Sequence, residues 1–190
     1  DFCNKDKFIK AIENGGDLNS QSNIYHQKKI HQNVLNRAIS YHCDEIIELI
    51  LDEYLPNTFQ EVSHLVNDPK RSLNTTPLKK TINKGKISLF HKLLIGFPVN
   101  DDISTIARKI SKHDEIEMAH ILMSSSHVKS LDQINRAIVT AVKKNHIQVL
   151  KAFLSQNEDI KKLSNKNLLV LKEKAANKSQ EIRKVIYNYK

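Results

Sequence analysis

Two groups of side chains in this sequence have the types that catalysis or metal binding would need. The first is His42, Cys43 and Asp44, which follow one another as a base, a thiol and a carboxylate. Adjacent residues at a helix end point about 100° apart, so they cannot pair in the way that a nucleophile and its base must. We therefore interpret Cys43 as a turn or packing residue.

The second group is a series of histidines at seven-residue spacing, His113, His120 and His127. These rings would align as metal ligands only on one continuous helix. Ser124–Ser126 interrupts such a helix, so we predict no metal site. The sequence also has no glycine-rich phosphate loop, H-E-x-x-H, C-x-x-C or G-x-S-x-G. We expect no cofactor and no enzymatic activity in this chain; catalysis would have to reside elsewhere in a parent protein.

The stretch Thr75–Leu94, TTPLKKTINKGKISLFHKLL, predicts two helices joined by a tight turn. Thr75 and Thr76 are helix-capping types, and Pro77 suits the first helical position because its missing N–H would be unpaired there anyway. Gly85 suits a left-handed C-cap. Neither helix could bury its apolar face alone, so the hairpin must stack on others.

Three further segments repeat this pattern: Arg37–Leu51, Lys109–Met123 and Thr140–Leu154. Each contains a small or apolar residue, a turn residue four positions later and then a second apolar stripe. The small or apolar positions of the four hairpins are Ala38, Thr81, Ile110 and Ala141. The turn residues are His42, Gly85, Asp114 and Asn145. All four turn types tolerate a positive φ better than most residues do.

The hairpins resemble ankyrin repeats. In the central hairpin, TTPL followed by KGK and LFHKLL is similar to the family pattern T-P-L-H…G-H…V-V-x-L-L-L, with Lys79 at the position of the histidine. Gly15–Asn19 is similar to the family's G-A-D-V-N, and Val66-Asn67 and Val99-Asn100 look like further V-N endings. The resemblance covers roughly 7–154. It implies an all-α solenoid of about four to six stacked helix-turn-helix units with worn terminal caps.

The resemblance also implies a domain organisation. We expect one ankyrin-repeat domain over 1–190, with a partial repeat and connection (1–32), a repeat with an insertion (33–74), three repeats (75–101, 102–128, 129–160) and a C-terminal cap (161–190). Within it, Thr58–Val66 has the pattern of a short extra helix. We expect the carboxylate of Asp132 to cap a helix over 133–144.

The charge is unevenly distributed. The chain has a net charge of +9, and residues 139–190 hold twelve Lys or Arg and four Asp or Glu. This asymmetry suggests an acidic partner, nucleic acid or an anionic membrane surface. A solvated helix face in a lysine- and asparagine-rich protein is the alternative.

Cys3 and Cys43 are too few for a disulfide framework and suggest a reducing compartment. No stretch approaches the roughly 18 apolar residues of a membrane span.

A stripe of exposed side chains follows from the resemblance, because the first helix of each ankyrin pair lines the concave face. The residues placed there are Arg37 and Tyr41, Lys80 and Lys84, Lys109 and His113, and Thr140 and Lys144. Each pair is four residues apart and therefore shares a helix face. We expect a mostly cationic ladder that binds a partner and in which charge reversal alters stability by less than roughly 0.5 kcal/mol. The alternative is that lysine and arginine are simply common on exposed helices.

The predicted function is a protein–protein interaction scaffold that acts as a monomer. Because the chain begins with Asp and has the divergent, Lys/Asn/Ile-rich style of bacterial or viral repeats, we expect the ankyrin domain of a larger effector-type protein. It would be secreted by a bacterium, bind a host protein through its concave face and work in the cytosol.

The alternative is an anion-binding domain that recognises phosphoinositide membranes or nucleic acid through the basic C-terminal third. A steep loss of affinity with salt would favour that alternative. Nucleic-acid readers usually add stacking aromatics, which make up only 6% of this sequence.

Overall fold

A computed structural model of the chain describes residues 3–16, 22–23, 31–32, 34–54, 76–96, 99, 101–155 and 160–189. These residues are mostly helical, which confirms the predicted all-α class. They belong to two compact units, residues 1–100 and 101–190. In the described ranges no helix is both long and apolar enough to cross a bilayer. The predicted extra helix Thr58–Val66 and the Val66-Asn67 motif lie outside the described residues, and the single domain stays a prediction.

The first unit contains five helices in its described part. They are α1 (Lys5–Glu13), α2 (Val34–Tyr41), α3 (Asp44–Leu49), α4 (Pro77–Asn83) and α5 (Ile87–Gly96). A π-helical turn, Ile50–Tyr54, continues α3. Two short strands, Ser22–Asn23 and His31–Gln32, pair antiparallel between α1 and α2, within the range predicted to hold a partial repeat and a connection. The helices α2 and α3 form one hairpin and α4 and α5 another, α2 packs against α4, and α1 contacts α3.

The second unit contains three helical hairpins. Its helices are α6 (Ile103–His113), α7 (Ile116–Ser124), α8 (Asn135–Lys144), α9 (Ile147–Leu154), α10 (Asn165–Ala175) and α11 (Gln180–Tyr187). The first helices of the hairpins form one layer, in which α8 packs against both α6 and α10. The second helices form another layer, in which α9 packs against both α7 and α11. We call the first layer the inner helices and the second the outer helices.

Four of the hairpins turn in the same way, as the sequence predicted. His42, Gly85, Asp114 and Asn145 all have left-handed backbones, with φ between 58° and 62°. The N–H of the following residue then bonds the carbonyl at the small or apolar position of the preceding helix. These bonds measure 3.0 Å from Cys43 to Ala38, 3.0 Å from Lys86 to Thr81, 3.2 Å from Glu115 to Ile110 and 3.0 Å from His146 to Ala141. This is the six-to-one bond of a Schellman motif, and it sets the direction in which each second helix leaves.

The residues of the predicted stripes form the core. Ala38, Thr81, Ile110 and Ala141 are each fully buried. So are the large side chains Phe90 and Phe153, each in the second helix of its hairpin. The hydroxyl of Thr81 would be costly to bury unpaired, and it donates to the carbonyl of Leu78 at 2.7 Å. The two-helix pattern in the sequence therefore identifies the buried faces correctly.

The shared turn geometry predicts opposite effects of glycine at two hairpins. His42 holds a left-handed φ of 58° and carries a Cβ, so His42→Gly should raise the free energy of unfolding by about 1 kcal/mol. Ala176 ends α10 with a right-handed φ of −51°, so Ala176→Gly should lower it by about 0.5–1 kcal/mol. Urea unfolding of both variants measures the difference. Two changes of the same sign would contradict the turn assignment.

Side-chain hydrogen bonds join neighbouring hairpins in the second unit. The buried hydroxyl of Ser111 donates to the carbonyl of Ala137 at 2.7 Å, and Nδ1 of His146 lies 2.7 Å from the carbonyl oxygen of Ser111. Ser111 thus connects the end of α6 to α8 and to His146, the residue just before α9. Polar groups buried between helices hold a defined register only when they are paired, and these are paired.

Asp132 also joins hairpins, and the prediction that it caps the next helix is wrong. The helix begins at Asn135 rather than at residue 133, with no side-chain cap. The Asp132 carboxylate instead accepts hydrogen bonds from Nδ2 of Asn167 at 2.9 Å and from the backbone N–H of Ser164 at 3.0 Å. These bonds lower the pKa of Asp132 because they stabilise its charged form. The backbone N–H of Ser164, 32 residues away in sequence, thus binds the carboxylate that was expected to cap the following helix.

Candidate interaction surface

In the first unit, Arg37 and Tyr41 form a contacting pair on α2. The guanidinium carbon of Arg37 lies 5.8 Å from the centre of the Tyr41 ring, within cation–π range. Half of the Tyr41 side chain remains exposed. The two residues face the same side of α2, as their spacing of four predicted. They can present an aromatic ring and a positive charge to a partner together.

Lys80 and Lys84 differ from the prediction because only Lys84 is exposed. Lys80 is 8% exposed, and its helix α4 packs against α2. Burial, and then the charge of Lys84, lowers the pKa of Lys80 to about 8. The premise of the expected small effect of charge reversal, that Lys80 is exposed, is therefore wrong. A carboxylate there would be largely removed from water, with the ammonium of Lys84, four residues on, as its neighbouring charge.

The two predicted pairs of the second unit lie together. The ammonium of Lys144 on α8 donates to the carbonyl of Lys112 on α6 at 3.3 Å. This brings Lys144 beside His113, whose pKa is lowered by partial desolvation and then by the charges of Lys109, Lys112 and Lys144. Each of these charges disfavours a further proton on the ring.

Thr140 lies one turn before Lys144 on the same face of α8. Its hydroxyl donates to the carbonyl of Arg136 at 2.8 Å, a bond within the helix. The side chain is only partly buried, so it remains accessible on the surface between the lysines of α6 and α8. Thr140 thus supplies an uncharged position within the cationic surface.

A third pair, Lys174 on α10 and Lys178 shortly after its end, was missed by the sequence analysis. The ammonium of Lys178 donates to the carbonyl of Lys143 at 2.7 Å, as Lys144 does to Lys112 one hairpin earlier. The hydroxyl of Ser179 also bonds Oδ1 of Asn145 at 2.9 Å. These contacts align Lys178 with Lys144, and Lys174 with Thr140. We call Lys109, His113, Thr140, Lys144, Lys174 and Lys178 the inner stripe.

The electrostatics of the inner stripe are one-sided. The helices α6 and α8 contain no acidic residue, and α10 contains only Glu173. The cations lie near helix C-termini, where the helix dipole stabilises positive charge, which is a structural reason for their presence. A lysine ammonium has three N–H donors, and the backbone carbonyls occupy one each on Lys144 and Lys178. Lys144 and Lys178 each have two further N–H groups that can donate to carboxylates of another molecule.

Cys3 and Cys43 form a disulfide, with Cα atoms 5.0 Å apart. It joins the start of α1 to the turn between α2 and α3. Cys43 is 4% exposed, which agrees with its interpretation as a packing residue, and its sulfur is not a free nucleophile beside His42. The disulfide does not fit the expected reducing cytosol, where thiols are kept reduced. Two cysteines 40 residues apart in sequence gave no sign that folding would bring them together.

The three regularly spaced histidines do not share a helix. His113 ends α6, His120 lies in α7, and His127 follows α7. In the part of the chain that the structure describes, no three His, Cys, Asp or Glu side chains are grouped closely enough to hold a metal ion.

Comparisons with known proteins add no assignment to this geometry. The chain matches no family model, no curated protein and no solved structure. The ankyrin resemblance therefore stays a prediction from the residues that carry it.

Proposed function

We propose that this chain is a protein-interaction domain whose inner stripe binds an acidic surface of a partner protein. The observation that carries the proposal is the inner stripe itself: three successive packed hairpins place at least one lysine each at two equivalent positions, with one acidic residue among helices α6, α8 and α10. Repeated positions matter more than a total charge, because only a repeated arrangement presents a pattern that a partner can match.

The spacing of the stripe favours a protein partner. Neighbouring packed helices have axes about 8–10 Å apart, so the cations of α6, α8 and α10 recur at roughly that interval. Carboxylates spread over a protein surface can pair with cations along the whole row, whereas one small anion would contact the cations of a single hairpin. The stripe has no Phe, Tyr or Trp side chain on which a nucleic-acid base could stack.

The architecture that presents the stripe is a stack of ankyrin-like hairpins, in our proposal. The shared left-handed turns, the layer of inner helices and the layer of outer helices support this view. A stacked array buries one side of each helix and leaves a long face for a partner. The resemblance further predicts that the parent protein is a secreted effector and that the partner is a host protein.

A matched pair of charge-reversed baits tests the proposal. The stripe variant is His113→Glu with Lys174→Glu; the control is His120→Glu with Lys10→Glu, which changes the same residue types at exposed positions on α7 and α1. Eukaryotic lysate is passed over wild type and both variants, and bound proteins are quantified by mass spectrometry. We expect at least one protein to be retained by wild type and control and lost by about tenfold or more from the stripe variant. Identical protein sets on all three baits would refute a role for the stripe.

A further inference from the structure

The last hairpin, α10 and α11, carries charged residues where the preceding hairpin has core residues. The bonds from Lys144 to Lys112 and from Lys178 to Lys143 align α10 with α8. In this alignment Lys172 takes the position of Ile138, which is fully buried in α8. Lys172 is itself only partly buried. A hairpin stacked against α10 in the usual way would have to bury this ammonium, so the face suits a different occupant.

Apolar side chains protrude from the same hairpin. Leu169 is 70% exposed and lies one turn before Lys172, so the two share a face of α10. Tyr187 of α11 is 53% exposed, and the ammonium of Lys172 lies 6.0 Å from the centre of its ring. We call Leu169, Lys172, Arg183, Lys184 and Tyr187 the terminal face.

The terminal face also contains an open groove. It has a volume of about 510 Å³ and is lined by Ala176, Gln180, Arg183, Lys184 and Tyr187. None of these lining residues is acidic. Arg183, Lys184 and Tyr187 thus border one open depression, and Lys172 adds a third cation over the Tyr187 ring.

The charge of the surrounding hairpin has the same sign. Residues 160–189 hold eight Lys or Arg against two Asp or Glu. One of the two acids, Glu181, is paired with Lys151 at 3.2 Å. Any occupant of the terminal face therefore approaches through a positive potential, which strongly favours an anionic one.

We propose that the terminal face binds an anionic membrane surface, with Leu169 and Tyr187 entering the interfacial region and Lys172, Arg183 and Lys184 contacting lipid head groups. Stable attachment to a bilayer takes two signals, and an apolar insertion beside a basic patch provides both. A protruding leucine suits a soft interface better than a rigid acidic protein, which would need a pocket for it. Tyrosine favours the membrane–water boundary because its ring is apolar and its hydroxyl is polar. The proposal goes beyond the protein-interaction function, since it uses residues outside the inner stripe.

Vesicle co-sedimentation of the whole chain tests the electrostatic half of the proposal. We expect binding to vesicles of phosphatidylcholine with about one-third phosphatidylserine and none to phosphatidylcholine alone. Each basic residue near such a surface contributes about fivefold, so Lys172→Glu/Arg183→Glu/Lys184→Glu should weaken binding at least about 100-fold. The control Lys5→Glu/Lys7→Glu/Lys10→Glu has the same net charge, with its changes at exposed sites of α1, and should bind within about fivefold of wild type.

A matched pair of truncations tests the apolar half. Leu169→Ala should weaken vesicle binding about tenfold, because the shortened side chain transfers less apolar surface from water into the membrane interface. Ile95→Ala removes a comparably exposed side chain, 60% against 70%, from α5 and should leave binding unchanged. Thermal melts of all variants verify that each is folded.

A fluorescent reporter locates the contact directly. The chain has no tryptophan, so Tyr187→Trp and Tyr41→Trp each introduce a single tryptophan, which can be excited selectively over tyrosine. Both tyrosines are about half exposed beside a cation. Anionic vesicles should shift the emission of Tyr187→Trp to the blue and leave that of Tyr41→Trp unchanged.

Four results would each overturn the proposal. They are equal binding to neutral and anionic vesicles, no loss of binding in the charge-reversed variant, no emission shift for Tyr187→Trp, and capture of an acidic protein by the terminal face in place of vesicles.

Discussion

Reduction of the Cys3–Cys43 disulfide should lower the free energy of unfolding by about 4 kcal/mol. The bond closes a loop between residues 40 apart in sequence, and a cross-link of that length restricts the unfolded chain by about this amount. This value is the upper limit of the change, because α1 has no buried residue and gains freedom in the native state once the bond is broken. Urea unfolding followed by circular dichroism, with and without dithiothreitol, measures the change.

The control for this measurement is Cys3→Ala, which removes the disulfide and leaves the buried Cys43 in place. Its unfolding curve should coincide with that of the reduced wild type and should not respond to dithiothreitol. An unfolding midpoint of the wild type that is the same in both conditions would show that the disulfide does not contribute to stability. Amide exchange in α1 should rise on reduction, since none of the residues of this helix is buried.

Replacement of Lys80 by methionine should stabilise the protein at pH 7 by roughly 3 kcal/mol. Burial lowers the pKa of Lys80 from its ordinary value of 10.5 to about 8. The difference is the free-energy cost of removing the charged ammonium from water when the protein folds. Methionine has a similar length and no charge, and it therefore keeps the packing while removing the cost. Urea unfolding at pH 7 measures the gain.

The pH dependence separates this cause from a general packing effect. Because the folded pKa lies below the unfolded one, the unfolded state binds more protons between pH 8 and 10.5, and wild-type stability should rise through that window. Lys80→Met should lack the contribution of Lys80 to this rise, whereas Lys10→Met, at an exposed position of α1, should retain it. Parallel curves for wild type and Lys80→Met above pH 8 would show that Lys80 is not buried as a cation.

The turns and apolar faces could be predicted from sequence because their causes are local. A left-handed backbone requires a residue that tolerates positive φ, and His42, Asp114 and Asn145 stand at fixed distances from the buried stripes. The same reasoning did not identify the stripe residues of the last hairpin, because its turn lacks the left-handed residue. Ala176 is right-handed there, so no turn residue marked Lys174 and Lys178 as the next members of the stripe.

Long-range contacts account for the predictions that were wrong. Lys80 has the spacing of an exposed residue on α4, but α4 packs against α2 and leaves it 8% exposed. Asp132 has the type and position of a helix cap, but Ser164 and Asn167 bind its carboxylate. Cys3 and Cys43 meet only because α1 contacts α3. In each case the deciding partner lies at least 30 residues away or on another helix, where local patterns carry no information.

Site-specific photo-crosslinking in lysate tests the claim that the inner helices bind a protein partner. A photoreactive phenylalanine analogue replaces Thr140, at the centre of the inner stripe on α8, or His120, exposed on the outer helix α7. We expect irradiation to attach a partner protein to the Thr140 position and to leave the His120 position at background. Adducts at His120 alone, or at neither position, would contradict the claim.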